Sequence, residues 1–168
     1  MKLNCKAGTT VVELLVVLTI LAVIAGITFS LFESTDYELV RQQAYALAEH
    51  ITMMQQRAQI YNSDTYIMCD QQHNSYADET GTYQLLGAQY GAPAGCKGPP
   101  SAPLKPVTKP ITFEKSCITC YAHGTVKSGT IYLCNASKTI CFAVTTPVDE
   151  VTHVRVYEYR GAGWYSLS

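Results

Sequence analysis

Two cysteines with a two-residue spacer, Cys117-Ile118-Thr119-Cys120, are the residues whose types and spacing most directly suggest chemistry. Such a pair can form a dithiol redox centre or supply half of a zinc site. A zinc site needs two more ligands, typically a second close pair. The nearest candidate, His123, stands alone, so no metal is expected. A redox pair needs a helix beside it, in a βαβ unit, to lower a thiol pKa. These cysteines lie among strand-forming residues instead. Nucleophilic catalysis fares no better: no serine sits on a strained glycine elbow, and His50, His73, His123 and His153 have no acid at motif spacing. His50 and His153 read as surface or interface residues. Asn135-Ala136-Ser137 matches a glycosylation acceptor by composition alone. The chain therefore reads as a non-enzyme without a cofactor.

The stretch that must position everything else is Ala7–Gly26. A short basic leader with Lys2 and Lys6 ends at Gly8, and an apolar run with one early carboxylate, Glu13, follows. From Leu14 to Phe32 there are 19 residues without a charge. As a helix, at ~1.5 Å per residue, that length matches the hydrocarbon thickness of a bilayer. A secretory signal has a shorter core and is cut after it. Here the small residue precedes the core, so cleavage there leaves the helix in the product. The basic leader places the amino terminus in the cytoplasm and the body across the membrane.

Glycine, a few residues, glutamate, then Leu14-Leu15-Val16-Val17 and a long apolar tail resemble the type IV pilin and pseudopilin family. The resemblance implies that a prepilin peptidase cuts between Gly8 and Thr9 and methylates the Thr9 amine. Thr9 stands where the family usually has phenylalanine. Glu13 falls at the fifth mature position, where the family keeps its glutamate. An acid inside a membrane helix costs free energy, about 2.5–3.5 kcal/mol near the centre and less towards an end. The resemblance supplies the compensating charge: the cationic amino terminus of a neighbouring subunit.

Loss of Lys2 and Lys6 reduces the 12 basic residues to ten against 13 acidic ones, a mature net charge of -3. That balance does not suggest general polyanion binding. With 48% hydrophobic residues the remainder has material for one packed domain. Of seven cysteines, Cys5 lies in the leader. Cys69, Cys96, Cys117, Cys120, Cys134 and Cys141 form an even set, the mark of disulfides in an oxidising compartment. A hairpin with Ser137-Lys138 at its tip would set Cys134 directly opposite Cys141, at a Cα separation of ~4.5–5.5 Å. The other four allow three pairings, which the sequence leaves open.

Past the apolar run, Tyr37, Val40, Ala44, Leu47, Ile51, Met54, Ala58 and Tyr61 recur at spacings of three and four, an amphipathic helix ended by Asn62-Ser63-Asp64. No proline interrupts residues 9–61, although Ser34-Thr35-Asp36 offers a local break. Strands are expected at Thr65–Cys69 and Thr82–Leu86, with a polar loop between them around Asn74–Gly81. Residues 86–110 hold six of the seven prolines and four glycines, a surface loop in which Cys96 would be a staple. Further strands are expected at Ile111–Phe113, Ile118–Ala122, Thr130–Cys134, Ile140–Thr145 and Val151–Tyr159, with a turn at Arg160–Gly163 and a last strand at Trp164-Tyr165.

This tail, with Ile111-Thr112-Phe113, His123-Gly124-Thr125, Ser128–Cys134 and Val154-Arg155-Val156, is similar to H-type pseudopilins of type II secretion and to minor pilins of type IV pili. That resemblance implies an α+β fold: a long N-terminal helix, half in the membrane and half amphipathic, packed on antiparallel β-sheet and stapled by disulfides. Its parts are the leader 1–8, the membrane and filament-core helix 9–32, the amphipathic helix 33–61 and the β-domain 62–168. It also implies a minor filament subunit acting in initiation near the tip. Its partners would be other pilin or pseudopilin subunits, the prepilin peptidase, the inner membrane and the assembly platform. Some minor pilins bind DNA. Here Arg155 and Arg160, with Lys127, Lys138, Tyr157, Tyr159 and Trp164, are the residues that could contact a nucleic acid, against the acidic net charge and Glu158. The expected location is the bacterial inner membrane, single-pass, with the body in the periplasm or exported in a surface filament.

Overall fold

A computed structural model describes residues 11–99, 104–147, 153–161 and 163–167; the side chains of residues 26–34 are outside this set. Gly8 and Thr9 therefore lie outside the described residues. Helix α1 (Val11–Tyr61) is followed by nine strands. They are β1 (Thr65–Asp70), β2 (Ser75–Ala77), β3 (Thr82–Gln84), β4 (Gln89–Tyr90), β5 (Cys117–Cys120), β6 (Gly129–Cys134), β7 (Cys141–Thr146), β8 (Arg155–Arg160) and β9 (Gly163–Ser166). They form two antiparallel sheets, in the orders β3-β2-β1-β5 and β4-β6-β7-β8-β9.

The expected fold class needs correction. The chain divides into two units, Met1–Thr35 and Asp36–Ser168, and a nine-stranded, two-sheet body makes up most of the second. The side chains described along α1 fall into two stretches that behave differently. Every residue from Val11 to Ala25 is exposed. Only the second stretch, from Val40 to Ala58, is buried against strands. In place of the expected long helix packed on a sheet, the described side chains give two helical stretches, 11–25 and 35–61, and nine strands in two antiparallel sheets. The reason is in the pattern: residues 11–25 are apolar on all sides and present no single face to a sheet, whereas the later stripe does. Among the described residues no helix is long and apolar enough to cross a membrane.

Val40, Ala44, Leu47, Ile51, Met54 and Ala58 have no exposed surface. They share one core with Ile67, Ile118 and Cys120 of the first sheet and Ile131, Leu133, Phe142, Val144 and Val156 of the second. Tyr61, expected on the stripe, is 70% exposed, because the helix ends there. Asn62 takes a left-handed conformation (φ 49°), and the Ser63 amide donates to the Ala58 carbonyl at 3.1 Å, closing the last turn. The helix is also pinned by hydrogen bonds: Thr65 Oγ1 donates to the Met54 carbonyl at 3.0 Å and Gln55 Nε2 to the Gly124 carbonyl at 2.5 Å.

Residues 91–99 and 104–110 form the two arms of a strap along β6. The Gly91 amide donates to the Tyr132 carbonyl (3.0 Å) and the Tyr132 amide to the Pro110 carbonyl (2.8 Å), so both ends of the strap are tied to one residue. Its two arms pair through Gly98 N to Lys105 O (2.9 Å) and Val107 N to Cys96 O (3.0 Å). Ala92 and Val107 pack with Tyr132, Ala143, Tyr157 and Trp164 on the face of the second sheet away from α1. Trp164 Nε1 donates to the Lys97 carbonyl at 2.7 Å.

Gly129 opens β6 where the Phe113 ring lies against the backbone; a Cβ there would sit 2.6 Å from the ring. Phe113 is buried and cannot swing into solvent. A Gly129→Ala variant should therefore lose about 1–3 kcal/mol of stability in chemical denaturation. Wild-type stability would show that the ring is free to move.

Candidate functional site

Glu13 is exposed in the first turn of α1, where the helix dipole favours a carboxylate. Around it stand Val11, Val12, Leu14, Leu15, Val16, Val17 and Leu18, each more than half exposed. The feature the sequence singled out is thus an apolar rod with one acid near its start. Gly8 and Thr9, the expected processing residues, precede the described part.

Cys134 and Cys141 face each other in the β6–β7 register and form a disulfide, with a Cα separation of 4.2 Å. The pairing expected from the hairpin is present. The connecting turn is fixed by Asn135, whose Oδ1 accepts from the Thr139 and Ile140 amides at 3.0 and 3.2 Å. Its Nδ2 donates to Ser137 Oγ at 2.8 Å, so a side chain that matched a glycosylation acceptor is buried and engaged in the turn.

Cys69, Cys96, Cys117 and Cys120 carry free thiols. The register explains why the three on the first sheet stay apart. Met68 opposes Cys117 and Thr65 opposes Cys120, which sets Cys69 and Cys120 in different rows of the buried face and Cys117 on the other face. Cys96 lies in the strap against the second sheet. Burial pushes the Cys69 and Cys120 thiols up to about 11, the direction opposite to a redox cysteine. Cys117 and Cys120, on opposite faces of one strand, form neither a redox pair nor a metal half-site. Among the described residues no cluster of His, Cys, Asp and Glu could hold a metal.

The residues considered for nucleic acid are dispersed. Arg155 and Arg160 stand five positions apart on β8 and point to opposite faces. Arg160 donates through Nε and Nη2 to Glu158 at 2.9 and 2.7 Å. Glu158 also accepts a hydrogen bond from Tyr37; burial first, then this carboxylate, raises the tyrosine's pKa. Lys127 is held by Glu114 at 2.7 Å. Tyr157 is buried, and Trp164 sits between Tyr132 and Tyr159, with ring centroids 5.5 and 5.1 Å away. Tyr157 and Trp164 are occupied in packing under the strap, and half-buried Tyr159 packs on Trp164.

One buried histidine–carboxylate pair escaped the sequence reading. His50, expected at the surface, is 8% exposed, and its Nε2 lies 3.0 Å from Oδ2 of Asp78, whose side chain has no exposed surface. Tyr76 and Tyr83 flank the imidazole, with centroids 5.3 and 4.6 Å away. Burial acts to raise the Asp78 pKa. It is outweighed by hydrogen bonds from the Thr80 hydroxyl (2.6 Å), the Thr80 amide (2.7 Å) and the Gly81 amide (3.0 Å), with His50 adding to them, so the net direction is down. The partners are 28 residues apart, beyond any local spacing rule. The one available signal was His50's position, one residue before the buried Ile51. The pair latches the β2–β3 hairpin to α1.

Thiol titration of the mature protein should find four reactive cysteines after denaturation. Under native conditions labelling should be slow everywhere but at half-buried Cys117; no reactive thiol after denaturation would mean a fully paired set. Replacement of His50 by Ala leaves the Asp78 carboxylate buried without its imidazole partner and should cost about 1–3 kcal/mol, because three other donors remain. Since the Asp78 pKa is depressed in the folded state, its contribution is present above its unfolded value, near ~4. It is lost as pH falls through the folded value. Acid unfolding curves of Asp78→Asn should lack this component; an unchanged acid limb would refute the assignment. His73→Ala, at an exposed pair with Asp70, should leave stability unchanged.

No protein-family model, curated protein or solved structure matches this chain.

Proposed function

We propose that the chain is a minor subunit of a type IV pilus-like filament, made as a precursor and cut after Gly8. It is anchored in the inner membrane through its apolar amino-terminal helix before assembly. The observation that carries this reading is the exposure of the first helical stretch. Eleven large apolar side chains between Val11 and Ile24 are 52–76% exposed, and they are distributed around the helix rather than along one stripe. At about 1.5–3 kcal/mol for full burial of such a side chain, leaving them in water forgoes on the order of 10 kcal/mol or more. That compares with the whole stability of a typical domain. A stripe would call for one docking face. An all-round surface calls for a surrounding medium: lipid before assembly, and a bundle of like helices afterwards.

Glu13 adds direction to that bundle. In this reading its carboxylate pairs with the amino terminus of a neighbouring subunit, which sets the axial register between helices that otherwise slide on apolar surface. The body would then lie on the far side of the membrane, where the Cys134–Cys141 disulfide can form. An H-type pseudopilin of type II secretion would use the same amino-terminal chemistry. Deleting the gene and scoring surface pili against secreted protein separates the two.

Amino-terminal sequencing of the protein purified from membranes should begin at Thr9; any other start would refute the processing. Glu13→Ala should be processed normally yet enter filaments at a small fraction of the wild-type level. Wild-type incorporation would remove the charge-pairing mechanism while leaving membrane anchoring intact.

A further inference from the structure

The segment from Thr80 to Phe113 contains no Asp or Glu but holds Lys97, Lys105 and Lys109, in a chain whose net charge is -1. Three other cations of the body are paired locally: Arg57 with Glu79 at 3.6 Å, Lys127 with Glu114 at 2.7 Å and Arg160 with Glu158 at 2.7 Å. Among the described residues, none of the three strap lysines joins an ion pair.

Two of them line a pocket of about 390 Å³ between the strap and the second sheet. Lys105, Thr108 and Lys109 come from one arm, Pro99 from the other, and Thr130 and Tyr132 from β6. The pocket has a fixed frame. Both ends of the strap are tied to Tyr132, its arms are paired through Gly98 and Cys96, and Pro99 and Tyr132 are buried. Lys105 and Lys109 are carried four residues apart on an arm bonded through the Lys105 carbonyl to the Gly98 amide and through the Val107 amide to the Cys96 carbonyl.

We propose that this pocket binds a small ligand through a phosphate or sulfate group. Two ammonium groups supply the charge such a group needs, and the Thr108 hydroxyl is a further donor. Burial pushes the Tyr132 phenol's pKa up to about 12. It therefore stays a neutral O–H group at physiological pH. The volume lies at the lower end of small-molecule sites, so the pocket suits a compact anion or a single phosphorylated or sulfated sugar. The inference is independent of the filament reading. It requires only the folded body.

The chain carries its own reporter: its single tryptophan, Trp164, donates to the Lys97 carbonyl of the strap. The test uses the full-length protein in detergent and inorganic phosphate as the probe, with chloride at matched ionic strength as control. Equilibrium dialysis with labelled phosphate should show saturable binding of about one phosphate per chain. The affinity should fall in the millimolar range, as suits a ligand of about five heavy atoms. Trp164 emission should change along the same curve. The double variant Lys105→Gln/Lys109→Gln should bind at least ~10-fold more weakly, since both charge-assisted contacts are gone. Lys115→Gln, in the turn before β5, should bind as wild type. Absence of saturable binding, or equal weakening in Lys115→Gln, overturns the proposal. So does steeply salt-dependent retention of duplex DNA without phosphate saturation, which would mark a diffuse basic surface rather than a site.

Discussion

The two sheets have a common interior only because one face of α1 lies between them. Val40, Ala44, Leu47, Ile51, Met54 and Ala58 are sealed from solvent, and the strand residues they touch come from both sheets. Neither sheet could bury its inner face on its own. The first has four short strands, and the second pairs Phe142 and Val144 towards the helix while its opposite face carries the strap. Thr65 and Gln55 tie the helix to the first sheet and to the turn after β5 through their bonds to Met54 and Gly124.

The second sheet adds a further layer on its far side. Tyr132 is the pivot: its backbone closes the strap at both ends, and its ring joins Ala143, Tyr157 and Trp164 beneath it. A proline-rich segment cannot form many ladder hydrogen bonds of its own. It is held instead by few, well-placed contacts: the Trp164 indole on Lys97, the two arm pairs and a buried Pro99. The Cys134–Cys141 disulfide sits at the end of the same sheet, and the Cys134 sulfur lies 3.0 Å from the Gly91 carbonyl where the strap begins.

Legibility in the sequence followed the range of the interaction. The helical stripe, the β6–β7 hairpin and its disulfide, and the β8–β9 turn are written in spacings of a few residues, and the structure has them. The segment 74–81 is rich in polar and turn-forming residues, yet Ser75–Ala77 form β2, because β1 offers a pairing edge that no local rule records. Gln89-Tyr90 likewise become β4 inside an expected loop, by pairing with Leu133 and Cys134. Ile111–Phe113 went the other way: Ile111 makes a single bridge to Ile131, and the prolines before it leave no ladder to extend. The His50–Asp78 latch was out of reach for the same reason, since its members meet only once β2 and β3 are docked. The expectation of a long helix, half in the membrane and half amphipathic, packed on antiparallel sheet failed on the body, where nine strands in two sheets enclose only the later helical stretch; all-round apolarity and a one-sided stripe call for different surroundings.

That distinction divides α1 into two energetic problems. From Val40 onward, burial is intramolecular and belongs to the stability of the body. From Val11 to Ile24 the side chains are exposed, and in the proposed reading the free energy of covering them appears as affinity for a surrounding phase and not as folding stability. Changes on the stripe and changes on the rod should therefore have separable consequences: the first lowers the melting temperature, and the second alters partitioning while the body stays folded. Glu13 belongs wholly to the second problem. It makes the rod's amino-terminal end differ electrically from the rest of an otherwise uniform apolar surface. Such a surface has no preferred axial position against a neighbour, and a single buried charge pair supplies one at some cost in stability.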